Sequence, residues 1–355
     1  MSLLDRLKAE IRQSGPMTVA QYMSACLHDP AGGYYATRPR LGAEGDFITA
    51  PMVSQMFGEL IGLWSAEVWV RLGRPARVLW VEMGPGDGTL ICDALRAARA
   101  APAFLTAAEL WMIEPSGPLA AVQQERLAAA PIRPRWIQAL VELPRDAPLI
   151  LIANEVLDCL PARQFVRTAG GWAERMVGLG ADGGLAFGLG AEPAGQWLPD
   201  AAPGDVVEIS PAQAALGTEL GERAAGQGGA ALMIDYGRSD PGFGDTLQAL
   251  KGHRKVEPLQ APGEADLTVH ADFPAVLKAA AGSGAATTAS VSQRDFLVRL
   301  GVQARAAALV RSRPDRAEVI ARQLDRLIGP GQMGDLFKAA CIHEAGLAPP
   351  GFEEA

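Results

Sequence analysis

Short, unbroken apolar runs alternate with segments of helical spacing through the middle of this chain. The runs are VLWVEM (78–83), ELWMIEP (109–115), PLILIANEV (148–156) and AALMIDYG (230–237). A strand that is apolar at every position, not at every second one, is covered on both faces. Residues 89–98 and 116–130 lie between the runs and carry apolar residues at helical spacing. This is the βαβ alternation of a parallel, doubly wound α/β sheet. Ahead of it, residues 2–14 and 18–27 read as amphipathic helices split by Gly15-Pro16, with Thr18 placed to cap the second. Met56, Leu60, Leu63, Trp64 and Val68 predict a helix from Ser54 to Leu72. The stretch 29–51 between them, rich in Gly, Pro and aromatic residues, is expected to be a long ordered loop.

The rhythm breaks twice. Residues 162–209 hold GGW, DGG and Pro-bounded pieces, which predict a β-rich insertion, and residues 238–268 form a second insertion dense in Gly and Pro. Pro314 is expected to open a helix running to Leu327 that Gly329-Pro330 closes, and LFKAACIH (336–343) reads as a last strand.

Composition narrows the function classes. The 355 residues are 49% hydrophobic and 20% charged, ample for a packed core, and the net charge of −8 argues against a general nucleic-acid binder. No window approaches the roughly eighteen apolar residues of a membrane span, so no membrane insertion is expected. The first fifteen residues mix Asp5 and Glu10 into a helical pattern, unlike a secretory or transit leader, and a cytoplasmic protein is expected. Cys26, Cys92, Cys159 and Cys341 are scattered and read as buried free thiols. His28, His253, His270 and His343 are equally dispersed, so no metal site is expected.

The most informative stretch follows the first run. Glu82-Met83-Gly84-Pro85-Gly86-Asp87-Gly88 joins a strand to a helix, and glycines let the backbone turn sharply and approach a ligand closely. A dinucleotide loop would place its third glycine one residue later, where Thr89 stands, and a phosphate loop would end in Lys-Ser/Thr. The spacing E-x-G-x-G-x-G resembles instead the first motif of S-adenosylmethionine-dependent methyltransferases. Glu114, followed by Pro115, closes the second strand, where a carboxylate can accept hydrogen bonds from both hydroxyls of a ribose. Gln138 and Ala139 follow the third strand, at the position of an adenine contact or of an ordinary polar loop.

Asn154, Glu155 and Asp158 follow the fourth strand, whose carboxyl end borders the ligand crevice of such sheets. Two readings of the acids stand open. Paired carboxylates clamp a cationic acceptor such as a guanidinium, or they cap the N-terminus of a following helix. Asp235 and Tyr236 end the fifth strand and are expected to line the acceptor channel, or to belong to a turn that needs Gly237.

Five blocks, GDFITAPMVSQMFGELIGLW (45–64), EMGPGDGTL (82–90), ANEVLDCLPARQF (153–165), MIDYG (233–237) and PGEADLTVHADF (262–273), together resemble the MidA-like methyltransferase family, in the same order over nearly the whole chain. The resemblance implies a class I, seven-stranded Rossmann-like methyltransferase fold that binds S-adenosyl-L-methionine. It implies an N-terminal helical cap and lid loop over 1–75 and a methyltransferase domain over 76–347. It also implies an arginine of a protein acceptor, such as a subunit of respiratory complex I, as the methylated group. Carried over by position, Glu82, Gly84, Pro85, Gly86, Gly88, Glu114, Pro115 and Asn154 match cofactor positions. Asp46, Phe47 and Thr49 belong to a block expected to fold over the cofactor as a lid. Glu155 and Asp158 are the candidate catalytic residues. A small-molecule methyltransferase, or an assembly factor that binds the cofactor without turnover, are the competing readings. A hydrolase is disfavoured because no G-x-S-x-G elbow occurs.

Overall fold

The computed structural model describes residues 1–37, 49–191 and 198–353. The apolar runs form the centre of a nine-stranded sheet. Its main path uses β1 (Val78–Met83), β2 (Ala108–Ile113), β3 (Arg135–Ile137), β4 (Leu149–Asn154), β5 (Gly229–Arg238), β6 (Ala286–Thr287) and β7 (Phe337–His343). Their spatial order is β3-β2-β1-β4-β5-β7-β6, and Ala271–Asp272 and Val291–Ser292 pair off this path. The neighbours from β3 to β5 are parallel, whereas β7 runs antiparallel against β5 and β6 antiparallel against β7. The sheet is therefore mixed.

All residues of β1 and β4 are buried, and the pleat sends alternate side chains to two different cores. Trp80, Ile150, Ile152, Leu232 and Ile234 pack on one face with Phe57, Trp64 and Ile91. Leu79, Val81, Leu149, Leu151 and Met233 pack on the other with Leu220, Phe273 and Val276. Burying each such side chain contributes about 2 kcal/mol, so the two-sided runs are the sheet's main source of stability.

Two helices on the first face approach unusually closely. A Cβ on Gly62 would lie 2.3 Å from the Ala94 carbonyl oxygen, and one on Gly58 would lie 2.6 Å from Asp93 Cβ. The helix Gln55–Arg71 thus presses its glycines against the backbone of Thr89–Ala98. Glu59, 5% exposed, locks the same contact through Arg96 at 3.1 Å and through Arg305 at 2.7 and 2.9 Å. Gly62→Ala is expected to lower unfolding free energy by about 2 kcal/mol, even though Ala favours a helix by about 1 kcal/mol, because overpacking outweighs propensity. A lowered urea midpoint at unchanged slope checks this.

The N-terminal helices Leu3–Ser14 and Val19–His28 fold as expected, the second capped by Thr18. They form a third core in which Leu7, Tyr22 and Met23 meet Val177 and Leu267 of the two insertions and Val269 just past the second. Residues ahead of 76 therefore contribute to two cores, because Gln55–Arg71 packs on the main sheet. The first insertion holds the antiparallel strands Arg163–Thr168, Gly171–Leu179, Leu185–Leu189 and Val206–Ile209, and Met17 pairs with Val177 across to it. The second holds a three-stranded sheet of Gln248–Lys251, Arg254–Val256 and Asp266–Thr268.

Two expectations need correction, and two helices were not expected. Pro314 opens a 3-10 turn, Pro314–Arg316, and the helix proper is Ala317–Ile328. Helices Pro211–Gln227 and Phe273–Gly282 were not legible as elements, since their Ala and Gly content blurs any apolar stripe. Cys26 and Cys341 are buried, but Cys92 and Cys159 are half-buried. No helix among the described residues is long and apolar enough to cross a membrane.

Candidate functional site

Between β1 and β4 the chain order of the parallel strands reverses, and loops leaving neighbouring strands there diverge to opposite faces. A cavity of about 360 Å³ opens at that place, on the carboxyl ends of β1, β2 and β4. Its size suits a cofactor-sized ligand, for which 300 Å³ is roughly the lower bound.

One wall is the glycine loop. Gly84, Gly86 and Gly88 have φ of 64°, 56° and 81°, left-handed values that side chains resist. Gly84, Pro85, Gly86 and Asp87 line the cavity. A Cβ on Gly84 would stand 2.9 Å from Val156 Cγ2, so the loop has no room to retreat. Gly88 does not line the cavity; it is the N-cap of Thr89–Ala98, and its N–H donates to the Pro85 carbonyl at 2.8 Å. Its role is in the turn.

Beneath the loop, Glu82 is 3% exposed and its Oε2 has no partner among the described residues. Burial, then the neighbouring Asp87, raises its carboxyl well above the usual range. A cationic group offering N–H donors would answer both facts. Glu114 lies just past β2 and is also raised by burial. Its Oε1 accepts from Ser116 N at 2.8 Å and its Oε2 from Gln123 Nε2 at 2.9 Å, leaving a lone pair on each oxygen for a diol. Gln123, wholly buried, also donates to the Gly86 carbonyl at 2.8 Å and accepts from Trp136 Nε1 at 2.9 Å. It joins the glycine loop to the acid and to β3. Sequence reading missed it, since one Gln inside a helix carries no pattern. Pro115, Gln138 and Ala139 complete this side of the lining.

The remaining wall follows β4. Asn154, Glu155 and Asp158 line the cavity together. Glu155 has φ 56°, a strained value for a side chain that bears a Cβ. The strain is held by hydrogen bonds. Glu155 N donates to the Ile234 carbonyl at 2.8 Å, and Leu157 N and Asp158 N donate to Asp235 Oδ2 at 2.8 and 3.2 Å. The turn ends in the strand Arg163–Thr168 with no helix between, so the helix-capping reading of Glu155 and Asp158 does not hold. Glu155 Oε1 accepts from Ala50 N and Asn154 Nδ2, each at 3.2 Å. Burial and the nearby Asp158 push Glu155 up to about 8, and burial also raises Asp158.

Asp235 and Tyr236 differ from expectation, because neither is among the residues lining the cavity. β5 is a central strand, so Asp235 is fully buried beneath the 154–158 turn, where Oδ1 also accepts from Tyr236 N at 2.8 Å. It is a support for the turn. Asp235→Ala strips acceptors from three backbone N–H groups and is expected to cost roughly 3 kcal/mol of stability, whereas Asp235→Asn keeps an acceptor oxygen and costs less. Urea unfolding of both variants checks this order.

Asp46 and Phe47 lie outside the described residues, and with them the expected lid; Thr49 lines the cavity. His28, Tyr35 and Asp266 also line it, and sequence reading had given none of them a role. Among the described residues, the lining holds six carboxylates, Glu82, Asp87, Glu114, Glu155, Asp158 and Asp266, and no Lys or Arg. Among them, Asp87 pairs with Arg126 at 3.1 Å. Such a lining favours a cationic guest. S-adenosyl-L-methionine, with a sulfonium, an ammonium and a ribose diol, fits the orphaned Glu82 oxygen, the open lone pairs of Glu114 and the close glycine loop.

Comparison with known proteins agrees. A family model described as "Putative S-adenosyl-L-methionine-dependent methyltransferase" matches residues 60–291. The chain is 35% identical to the Bos taurus "Protein arginine methyltransferase NDUFAF7, mitochondrial", covering 94% of this chain and 82% of that one. It is 34% identical to the Homo sapiens protein of the same name, over 94% and 82% of the two chains. Among solved structures, a COG1565 superfamily member from Burkholderia thailandensis bound to S-adenosyl-homocysteine is similar at TM-score 0.84 and 30% identity, covering 99% of this chain and 93% of that one. The chain thus belongs to the MidA-like family of S-adenosyl-L-methionine-dependent methyltransferases, and S-adenosyl-L-methionine is its cofactor.

Proposed function

We propose that this methyltransferase acts on the guanidinium of an arginine in a protein acceptor. The observation that carries the reading is the cavity lined, among the described residues, by six carboxylates and by no Lys or Arg. The relatives named as protein arginine methyltransferases support it. Bound S-adenosyl-L-methionine supplies the methyl group on a good leaving group, so the protein's task is positioning and charge complementarity. The Gly84–Gly86 loop and Glu82 hold the amino-acid end, and Glu114 holds the ribose. Asn154 fixes Glu155 through the hydrogen bond at 3.2 Å. Because Oε1 is engaged, Glu155 Oε2 faces the acceptor, orients the guanidinium with Asp158 and takes the proton that nitrogen releases.

The reading extends to architecture and setting. β1–β7 constitute the seven-stranded class I core, 76–347 the methyltransferase domain, and 1–75 its helical cap and lid, with the insertions at 162–209 and 238–268 adding surface for a protein acceptor. A respiratory complex I subunit is the first acceptor to try, and the cytoplasm is the expected compartment, which cell fractionation would test. Incubating the protein with labelled S-adenosyl-L-methionine and cell lysate decides the reaction. Label recovered as methylarginine after acid hydrolysis of protein supports the reading. Label found only in small molecules, or in none, would sink it.

A further inference from the structure

The helix Pro211–Gln227 supplies none of the described residues that line the cavity. It buries two long polar side chains all the same, Gln213 and Arg223, each 1% exposed. Both direct their donors at carbonyls of the loops that build the cavity. Gln213 Nε2 donates to the Leu157 carbonyl at 2.8 Å, and its Oε1 accepts from Asp272 N at 2.8 Å. Leu157 is thus held from two sides, since its N–H is one of the donors to Asp235. Ser210 Oγ strengthens the same end, accepting from Gln213 N at 3.1 Å and donating to the Pro161 carbonyl at 2.8 Å.

Arg223 serves the other end. Its Nη2 donates to the Leu140 and Leu143 carbonyls at 2.7 and 3.2 Å, its Nη1 to the Pro144 carbonyl at 3.2 Å and its Nε to Glu219 Oε1 at 2.8 Å. Glu219 Oε1 also accepts from Arg145 at 2.6 Å. Leu140 lines the cavity beside Gln138 and Ala139. Burying a guanidinium is costly unless its donors are met, and an apolar side chain would fill the space without that cost. What the arginine adds is direction, because its planar fork fixes where several carbonyls stand. The helix itself has no room to move closer to its neighbour: a Cβ on Gly217 would lie 2.4 Å from the Val276 carbonyl oxygen, and one on Gly221 would lie 2.6 Å from that of Ala280.

Resting on the reading above that the 154–158 turn faces the acceptor, we propose that this helix carries two positioning residues, Gln213 for the acceptor turn and Arg223 for the cofactor wall at 138–140. Ten residues at a rise of about 1.5 Å separate them by roughly 15 Å along one rigid element. Neither touches a reacting atom. Each acts through backbone carbonyls, so their effects separate: loss of Gln213 loosens the turn that bears Glu155, and loss of Arg223 loosens the wall beside the cofactor.

The test compares Gln213→Met, which keeps length and removes both hydrogen bonds, with Arg223→Lys, which keeps the charge beside Glu219 and loses the fork. Amide exchange, calorimetric titration with S-adenosyl-homocysteine, and label transfer from saturating S-adenosyl-L-methionine to lysate protein are measured on the full chain. Gln213→Met should speed exchange in the 155–160 segment and lower transfer by about tenfold, with S-adenosyl-homocysteine affinity kept within about twofold. Arg223→Lys should speed exchange in the 139–145 segment and weaken S-adenosyl-homocysteine by about tenfold, with transfer at saturation nearly kept. A merely structural role would speed both segments alike in both variants. Should either variant not fold, Ser210→Ala and Glu219→Gln loosen the same two ends more mildly and should show the same separation at smaller size. Uniform exchange, cofactor affinity lost in Gln213→Met or affinity kept in Arg223→Lys overturns the proposal. If the unaltered protein labels no arginine, the arginine reading falls by itself, and exchange and affinity still decide the two anchors.

Discussion

Glu155→Gln is expected to lower methyl incorporation by about two orders of magnitude or more, while S-adenosyl-homocysteine affinity changes by less than about threefold. The substitution keeps shape, and the amide oxygen can still accept from Ala50 N and Asn154 Nδ2. What it removes is the charge that the carboxyl takes on once a guanidinium sits beside it, since an opposite charge favours the ionised form. A lost electrostatic contact to the reacting group costs roughly 3 kcal/mol in the transition state, and Glu155 lines the cavity on the β4 side, away from Glu114, the proposed ribose acid. Stability should move in the opposite direction. With its carboxyl raised to about 8, the folded chain keeps a proton that the unfolded chain has released above the ordinary carboxylate range. Stability therefore falls as pH rises from that range to about 8, and it stays lowered above it. Gln does not ionise and carries no such penalty. Since Glu155 is partly exposed and water screens it, a gain of about 2 kcal/mol above pH 8 is expected, shrinking toward pH 5. Thermal melts across this range, paired with turnover assays, check both halves. Near-normal incorporation would remove Glu155 from the reaction, and a variant destabilised at alkaline pH would show that the carboxyl is not raised.

Gly86→Val should weaken S-adenosyl-L-methionine binding by about a hundredfold or more. At φ 56° a β-branched side chain is strained, and relief requires the loop to move. Any such shift is passed on, because the Gly86 carbonyl accepts from Gln123 Nε2 and Gln123 also holds Glu114 and Trp136. The substitution thus disturbs the loop and Glu114 together. Calorimetry with S-adenosyl-homocysteine, on protein shown by circular dichroism to be folded, is the measurement. Undiminished affinity would mean that the cofactor lies elsewhere.

The two predictions rest on residues of different legibility. The glycine loop could be read from the chain because it is local: three glycines between a strand and a helix specify a turn and a close approach without help from distant residues. The same holds for β1 and β4, whose unbroken apolar runs already imply cover on both faces, and for Thr18, whose cap acts within a single helical turn. Candidate acids at strand ends were legible because the carboxyl ends of parallel strands share one edge.

What each acid does was decided by tertiary contacts. Asp235 and Glu155 both stand at strand ends and look alike in sequence, yet Asp235 is sealed beneath a turn that it supports, and Glu155 is turned into the cavity by a left-handed backbone. Only packing separates them. Gln123, Tyr35 and Asp266 were invisible for a related reason: their partners lie far away in the chain, 231 positions apart for the Tyr35 and Asp266 pair, and no periodicity or motif reports a hydrogen bond closed by folding. Local conformational preference, which the sequence encodes within a few residues, determined the elements and the glycine loop. The balance of burial and charge at the site exists only once remote segments are brought together, because desolvation depends on everything that surrounds a group.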